Sequence, residues 1–234
     1  IFLVAGIPGS FADHLSYPTD SAFCAAFVRK AICEGAGAQL SSDMCDTTTA
    51  YGCSWDVSTK CRMSTDDSTA FDNVLSDWFP AVDTGSACHG LTGTDCSPNN
   101  GCDLYGGTCY PFPKTGVSLL SALGASKVIQ AYYHSIRQSQ YCPTAGLDGC
   151  ADQAGCHVLN GSCQYAPEFG VWDVVTACDE AANAAGIASF TDTQKNSIAV
   201  ATSQSYANWA ALEEYISYPG LVGCALACEG SDVD

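Results

Sequence analysis

The sequence predicts a mainly α-helical, disulfide-rich fold in which amphipathic helices alternate with cysteine-bridged loops, with little or no sheet. Three observations predict it. The chain of 234 residues contains 16 cysteines, 47% of its residues are hydrophobic, and apolar residues recur at helical spacing between the cysteine-rich segments. A chain of this length buries a sizeable core, and the alternating patterns typical of strands are weak throughout.

Twelve of the cysteines form three units of four. In chain order the units are Cys33, Cys45, Cys53 and Cys61, then Cys88, Cys96, Cys102 and Cys109, then Cys142, Cys150, Cys156 and Cys163. Each cysteine of the third unit follows its counterpart in the second by 54 positions, and "TDCSPNNGCDLYGGTC" resembles "DGCADQAGCHVLNGSC". An internal repeat of about fifty residues in three copies is typical of repeat architectures.

We therefore predict one continuous repeat body with four segments. They are residues 1–63 with an N-terminal apolar arm, a helix and the first unit, 64–110 with a helix and the second unit, 111–165 with a helix and the third unit, and 166–234 as a C-terminal helical segment. The apolar start "IFLVAGIPGSF" is too short to cross a bilayer. It also lacks the basic residues of a signal peptide, so we interpret it as a processed end.

Disulfides explain the cysteines better than a metal does. Zinc sites favour cysteine pairs two to four residues apart, and the only close pair here is Cys224 and Cys228, which with Cys24 and Cys178 lies outside the units. We predict no bound metal and no cofactor. The connectivity stays open, because four cysteines in each unit allow three pairings. Disulfides imply an oxidising compartment, which is extracellular, endomembrane, periplasmic or a comparable lumen.

Helical patterns alternate with these units. Phe23, Phe27 and Ala31 share one face after Asp20, and a second stripe runs from Phe71 to Trp78 with Pro80 following. A third, longer stripe precedes the third unit; it consists of Leu119, Ala122, Ala125, Ile129, Tyr132 and Ile136, and Gly124 weakens it.

Two further stripes follow the third unit. Pro167 and Glu168 suit a helix start, after which Trp172, Val175, Cys178 and Ala182 continue one face. Thr191 and Gln194 have the spacing of a capping box. The last stripe is Ile198, Thr202, Ser205, Trp209, Leu212 and Ile216, and it ends before Pro219.

Two short features of the units have competing interpretations. Asn160, Gly161 and Ser162 form an N-glycosylation sequon, but Asn-Gly is also a favoured tight-turn dipeptide, and we favour the turn. Trp55, Tyr105 and Val158 lie between the last two cysteines of their units. They suit either partner contacts or packing on the helices, and packing is the simpler expectation.

The sequence carries no catalytic motif, and we predict no enzyme and no catalytic residues. The charge of −17 argues against nucleic acid and against anionic membrane surfaces as partners. Two apolar stretches are candidates for contact with other proteins, although burial in the core suits both equally. They are Ile1, Phe2, Leu3 and Val4 at the start, and Trp209, Leu212 and Ile216 in the last stripe.

The repeated "TDCSPNNGCDLYGGTC" and "DGCADQAGCHVLNGSC", together with the apolar start and the lack of a membrane span, resemble one known group. The layout is similar to that of the pigment-free, cysteine-rich linker subunits of algal photosystem–antenna supercomplexes, such as those of cryptophytes. The resemblance implies a structural protein without pigment, with a surface for membrane antenna or photosystem subunits. It favours the thylakoid lumen as the compartment, and an extracellular location is the alternative. It assigns a role to no individual residue.

Two other functions remain open from the residues. The first is a secreted disulfide-rich module that binds a carbohydrate or a receptor, which requires Trp55, Tyr105 and Trp209 to be exposed and grouped. The second is a secreted hydrolase whose catalytic residues no motif marks, which requires a cleft with a histidine or carboxylate of perturbed pKa.

Overall fold

Helix α1 (Asp20–Glu34) packs against several other helices and against the first β-hairpin. The structure is a computed structural model that describes residues 20–35, 42–46, 52–56, 60–63, 65–151, 155–186, 188–202 and 206–217. Residues Ile1, Phe2, Leu3 and Val4 and both Cys224 and Cys228 lie outside the described residues. The fold is mainly helical and disulfide-rich, as predicted.

Helices and three short hairpins alternate along the chain. The other helices are α2 (Ser42–Asp46), α3 (Thr65–Gly85), α4 (Pro113–Ala122), α5 (Lys127–Tyr141), α6 (Gly146–Ala151), α7 (Pro167–Ala184), α8 (Asp192–Thr202) and α9 (Trp209–Ser217). The strands are β1 (Cys53–Trp55), β2 (Cys61–Met63), β3 (Cys102–Tyr105), β4 (Thr108–Pro111), β5 (Cys156–Leu159) and β6 (Ser162–Tyr165). Consecutive strands pair antiparallel, β1 with β2, β3 with β4 and β5 with β6.

The core is built around a cluster of aromatic rings. Phe23 of α1 contacts Phe71 of α3 and Tyr132 of α5 edge to face, with ring centroids 5.3 and 5.2 Å apart. Phe79 of α3 contacts Tyr133 in the same way at 4.8 Å. Because α1, α3 and α5 each contribute rings, aromatic packing holds together helices that are far apart in sequence.

Two of the predicted helices differ from the structure. Helix α3 continues past Pro80 to Gly85; Pro80 is exposed, so water can replace the backbone hydrogen bond that a proline removes. The long stripe before the third unit is two helices. Gly124 adopts φ +83° and the Ala125 N–H donates to the Leu120 carbonyl at 2.9 Å, a geometry that ends α4.

The helix predicted after Thr191 is also divided. The capping box is confirmed, because the Thr191 N–H donates to the Gln194 side chain at 2.9 Å and the Gln194 N–H donates back to the Thr191 hydroxyl at 3.3 Å. The stripe beyond it is not one helix, because α8 is described to Thr202 and residues 206–208 are not helical. A new helix begins at Trp209, whose N–H donates to the Asn196 side chain at 2.9 Å.

The residues of α9 that the sequence offers as a contact surface are buried in the structure. Trp209 is 7% exposed, Leu212 is fully buried and Ile216 is 1% exposed. All three side chains belong to the hydrophobic core. The apolar face of α9 is therefore covered by the protein itself, and these residues are not available to a partner.

None of the helices among the described residues is sufficiently long and apolar to cross a membrane.

Gly116 sets the distance between α4 and α5. A Cβ added at Gly116 would lie 2.3 Å from Cε1 and 2.4 Å from the hydroxyl oxygen of Tyr133, which is fully buried. Overpacking costs about 1–3 kcal/mol, which outweighs the helix propensity of about 1 kcal/mol that alanine adds. We expect Gly116→Ala to lower the free energy of unfolding in urea by about 1–2 kcal/mol, whereas Thr115→Ala on the exposed side leaves it unchanged or raises it. Equal midpoints for the two variants would contradict this packing.

Two tyrosines, the buried Tyr133 and the partly buried Tyr165, make the fold sensitive to alkali. Burial raises the pKa of Tyr133 and of Tyr165 from 10.0 to about 12. A raised pKa in the folded state means that the stabilisation is complete below pH 10 and is lost as the pH rises towards 12. We expect the free energy of unfolding to fall by about 1.4 kcal/mol per tyrosine between neutral pH and pH 11. Urea titrations should show a shallower fall for Tyr133→Phe, and pH profiles parallel to the wild type would contradict the assignment.

Candidate functional site

The disulfides follow one order in all three cysteine units. The first cysteine pairs with the third, and the second pairs with the fourth. The bridges are Cys33–Cys53, Cys45–Cys61, Cys88–Cys102, Cys96–Cys109, Cys142–Cys156 and Cys150–Cys163. A seventh bridge, Cys24–Cys178, joins α1 to α7 across 154 positions of sequence. The seven disulfides among the described residues indicate an oxidising compartment.

Each crossed pair of bridges holds a β-hairpin. The third cysteine of each unit is the first residue of the first strand. The fourth cysteine lies in the second strand, opposite the residue two positions after the third cysteine, as in the pairs Leu104↔Cys109 and Val158↔Cys163. The sequence predicts bridged loops here instead of strands. The strands are only three or four residues long, so alternation alone does not reveal them.

The hairpins of the second and third units end in two-residue turns. Gly106 and Gly107 have φ values of 58° and 84°, and Asn160 and Gly161 have 52° and 76°. Positive φ at both central residues is typical of type I′ turns, which favour glycine and asparagine. The turn interpretation of Asn160-Gly161 is therefore confirmed.

Beside these turns lie two pairs of exposed apolar residues, which we call the hairpin tips. Leu104 and Tyr105 are 42% and 44% exposed, and Val158 and Leu159 are 50% and 47% exposed. Packing of Tyr105 and Val158 on the helices, as the sequence suggests, is wrong. Only Trp55 of the first unit packs against the core.

Both faces of each tip are open to solvent. Successive residues of a strand point to opposite faces of a hairpin, so one member of each pair lies on each face. Because both members are exposed, neither face is covered by the rest of the protein at this point. Both faces of the tips in the second and third units are therefore accessible to another molecule.

A buried ion pair fixes the second hairpin to the helices. Arg137 of α5 donates to both carboxylate oxygens of Asp83 at 2.8 and 2.6 Å, and its side chain is 7% exposed. Its guanidinium lies 4.0 Å from the ring centroid of Tyr110 in β4. One side chain thus joins α3, α5 and the second hairpin.

The second and third units are adjacent. The Thr144 hydroxyl, just after Cys142, donates to the Asp103 carboxylate at 2.8 Å, and burial raises the pKa of Asp103. The rings of Phe112 and Tyr141 meet edge to face at 5.1 Å. Since Asp103 immediately precedes Leu104, the second tip lies next to the start of the third unit.

The charge of these two units is one-sided. The chain's eight basic residues are Arg29, Lys30, Lys60, Arg62, Lys114, Lys127, Arg137 and Lys195, and none falls between Cys88 and Cys109 or between Cys142 and Cys163. Asp95 and Asp148 of these units are exposed. The two units that carry the tips therefore expose negative charge and contain no lysine or arginine.

One group of sulfur atoms has the proximity of a metal site. The Sγ atoms of Cys88, Cys102 and Cys109 lie within 4.8 Å of one another. All three are engaged in the bridges Cys88–Cys102 and Cys96–Cys109, so they offer no thiolate to a metal. Their proximity follows from the stacking of two disulfides.

A cavity of about 360 Å³ adjoins the Cys24–Cys178 bridge. Both carboxylates in its lining have partners within the protein: the Asp20 carboxylate accepts from Ser126 at 2.7 Å, and Asp179 accepts from the Phe190 N–H at 3.1 Å. Elsewhere, His134 Nδ1 lies 3.8 Å from Asp173, but the neighbouring Ser135 hydroxyl is bonded to the Tyr165 hydroxyl at 2.8 Å. Ser135 and His134 therefore do not form a nucleophile–base pair.

The three aromatic residues proposed for a carbohydrate or receptor site are not exposed together. Tyr105 is exposed, but Trp209 is buried and Trp55 packs against the core.

Comparison with protein-family models, curated proteins and solved structures gives no match to this chain.

The sequence indicates part of the tip surface. Tyr105 and Val158 stand out as apolar residues between cysteines, whereas Leu104 and Leu159 escape notice. The turn residues that follow Tyr105 and Leu159 mark where each hairpin ends. An apolar pair directly before a two-residue turn is the pattern that identifies both tips.

Proposed function

We propose that this chain is a non-catalytic structural protein that stabilises a larger protein assembly in an oxidising compartment. One observation carries the proposal: the hairpins of two neighbouring units expose apolar pairs at their tips, at 42–50% of each side chain. Exposed apolar groups are typical of protein–protein contacts. Two disulfides hold each hairpin, so little conformational freedom remains to be lost when a partner binds.

The assembly that we propose is that of antenna proteins with a photosystem, and the compartment is the thylakoid lumen. Support comes from the resemblance of the repeated cysteine segments to pigment-free linker subunits. The seven disulfides are consistent with any oxidising compartment. The acidic charge of −17 suits contact with basic partner surfaces.

Fractionation of the native protein from its source tests this proposal. The chain has a mass of 24.3 kDa, and we expect it to migrate under non-denaturing conditions in a much larger complex. Chemical crosslinking followed by mass spectrometry should identify neighbouring subunits. Migration as a free monomer would overturn the structural role, and a complex without chlorophyll proteins would overturn the photosystem assignment alone.

A further inference from the structure

We infer that the two hairpin tips together form the docking surface for another protein, and that this partner presents an apolar crevice edged by lysine and arginine. The inference rests on the proposed function, whose partner surface it identifies. The contact residues are Leu104 and Tyr105 on the second hairpin and Val158 and Leu159 on the third. Their placement, burial and surrounding charge support three separate steps.

The shape of the tips indicates insertion. At each tip the two apolar residues point to opposite faces of the hairpin, and both are exposed. A flat partner surface would cover one face and leave the other in water. A crevice covers both faces, which removes the most apolar surface from water.

The charge around the tips indicates the rim of the crevice. No lysine or arginine lies within the second or third unit, while Asp95 and Asp148 are exposed there. Opposite charges at the edge of an interface increase the association rate and select the partner. Lysine and arginine beside the crevice would provide that complement, whereas an acidic partner would be repelled.

The three units differ in a way that separates docking from structural roles. All three have the same crossed disulfides and a hairpin. In the first unit Trp55 packs against the core, and Lys60 lies in the turn region. The first hairpin thus contributes its apolar residue to the fold, while the other two present theirs to solvent.

A random peptide library displayed on phage and selected against the full oxidised chain tests the inference. We expect the selected peptides to combine apolar residues with lysine and arginine. The synthesised peptides should bind the wild type less tightly as salt increases, because rim charges are screened. Selection of neutral or acidic peptides, or of none that bind, would overturn the inference.

A tip variant then locates the binding surface. Leu104→Thr, Tyr105→Thr, Val158→Thr and Leu159→Thr keep β-propensity and remove the apolar contacts. We expect affinity for the selected peptides to fall by at least about tenfold in the combined variant. The matched control is Leu123→Thr with Val200→Thr, which removes exposed apolar side chains of α-helical segments. An equal loss in both variants, or none in the tip variant, would overturn the inference.

Two measurements exclude other occupants. Concentration-dependent dimerisation that the tip variant abolishes would identify a second copy instead of a basic partner. Binding to zwitterionic lipid vesicles through the tips would identify a lipid surface. Either result would overturn the inference. If the tip variant enters the native assembly normally, the docking surface is wrong and the structural role stands; a wild-type chain that is monomeric in its source refutes the structural role itself.

Discussion

Removing the Cys24–Cys178 bridge should lower the free energy of unfolding by about 5 kcal/mol, the largest single effect that the structure predicts. The bridge closes a loop of 154 positions between α1 and α7. Cross-linking stabilises by restricting the unfolded chain, and the effect grows with the logarithm of loop length. The other bridges shorten the loop that Cys24–Cys178 closes in the unfolded chain. The predicted stabilisation changes little, because it depends only on the logarithm of the loop length. Cys24→Ala with Cys178→Ala, unfolded in guanidinium under non-reducing conditions, provides the measurement.

The matched control removes a short bridge. Cys96 and Cys109 close a loop of 13 positions, and the same entropy argument gives about 3 kcal/mol for their double alanine variant. We therefore expect the long bridge to cost more than the short one in a common assay. A smaller effect for the Cys24–Cys178 pair would show that α1 and α7 remain together in the unfolded state, or that the bridge is strained.

Breaking the buried ion pair should be the second largest effect. In Asp83→Asn the Arg137 guanidinium stays buried, at 7% exposure, without its carboxylate partner. Leaving one buried charge unpaired costs about 3–5 kcal/mol, and we expect the lower end because the Asp83 side chain is 23% exposed. Urea unfolding at neutral pH measures the change.

Two further variants complete that experiment. Asp83→Asn with Arg137→Met removes both charges, and we expect it to recover part of the lost stability because no buried charge remains. Glu34→Gln breaks the exposed pair with Lys30 in α1, and it should cost under about 1 kcal/mol. If Asp83→Asn costs no more than Glu34→Gln, the ion pair does not hold the second hairpin on the helices.

Helical periodicity predicts the helices of this fold because their apolar faces are buried in one core. Phe23 and Phe27 of α1 are buried as the pattern requires. Helix ends depend on local geometry that the periodicity does not contain. Gly124 ends α4 through its positive φ. At the start of α9, the Trp209 N–H donates a hydrogen bond to the Asn196 side chain, 13 positions earlier in the sequence.

The candidate surface was only partly predictable, because exposure depends on tertiary placement. The residue two positions after the third cysteine is Trp55 in the first unit and Leu104 in the second. Only the folded structure shows that Trp55 packs against the core and that Leu104 is exposed to water. The sequence directed attention instead to Trp209, which is buried. Disulfide connectivity is equally non-local, and no spacing rule pairs Cys24 with Cys178.

The crossed order of the bridges has a consequence for biosynthesis. As the chain is made, Cys88 first meets Cys96, which is nearer in sequence than its native partner Cys102. The shorter loop closes more readily, so early oxidation favours the wrong pair in every unit. Thiol–disulfide exchange must then move each bridge to its final partner. Efficient production of this protein therefore requires a disulfide isomerase as well as an oxidant.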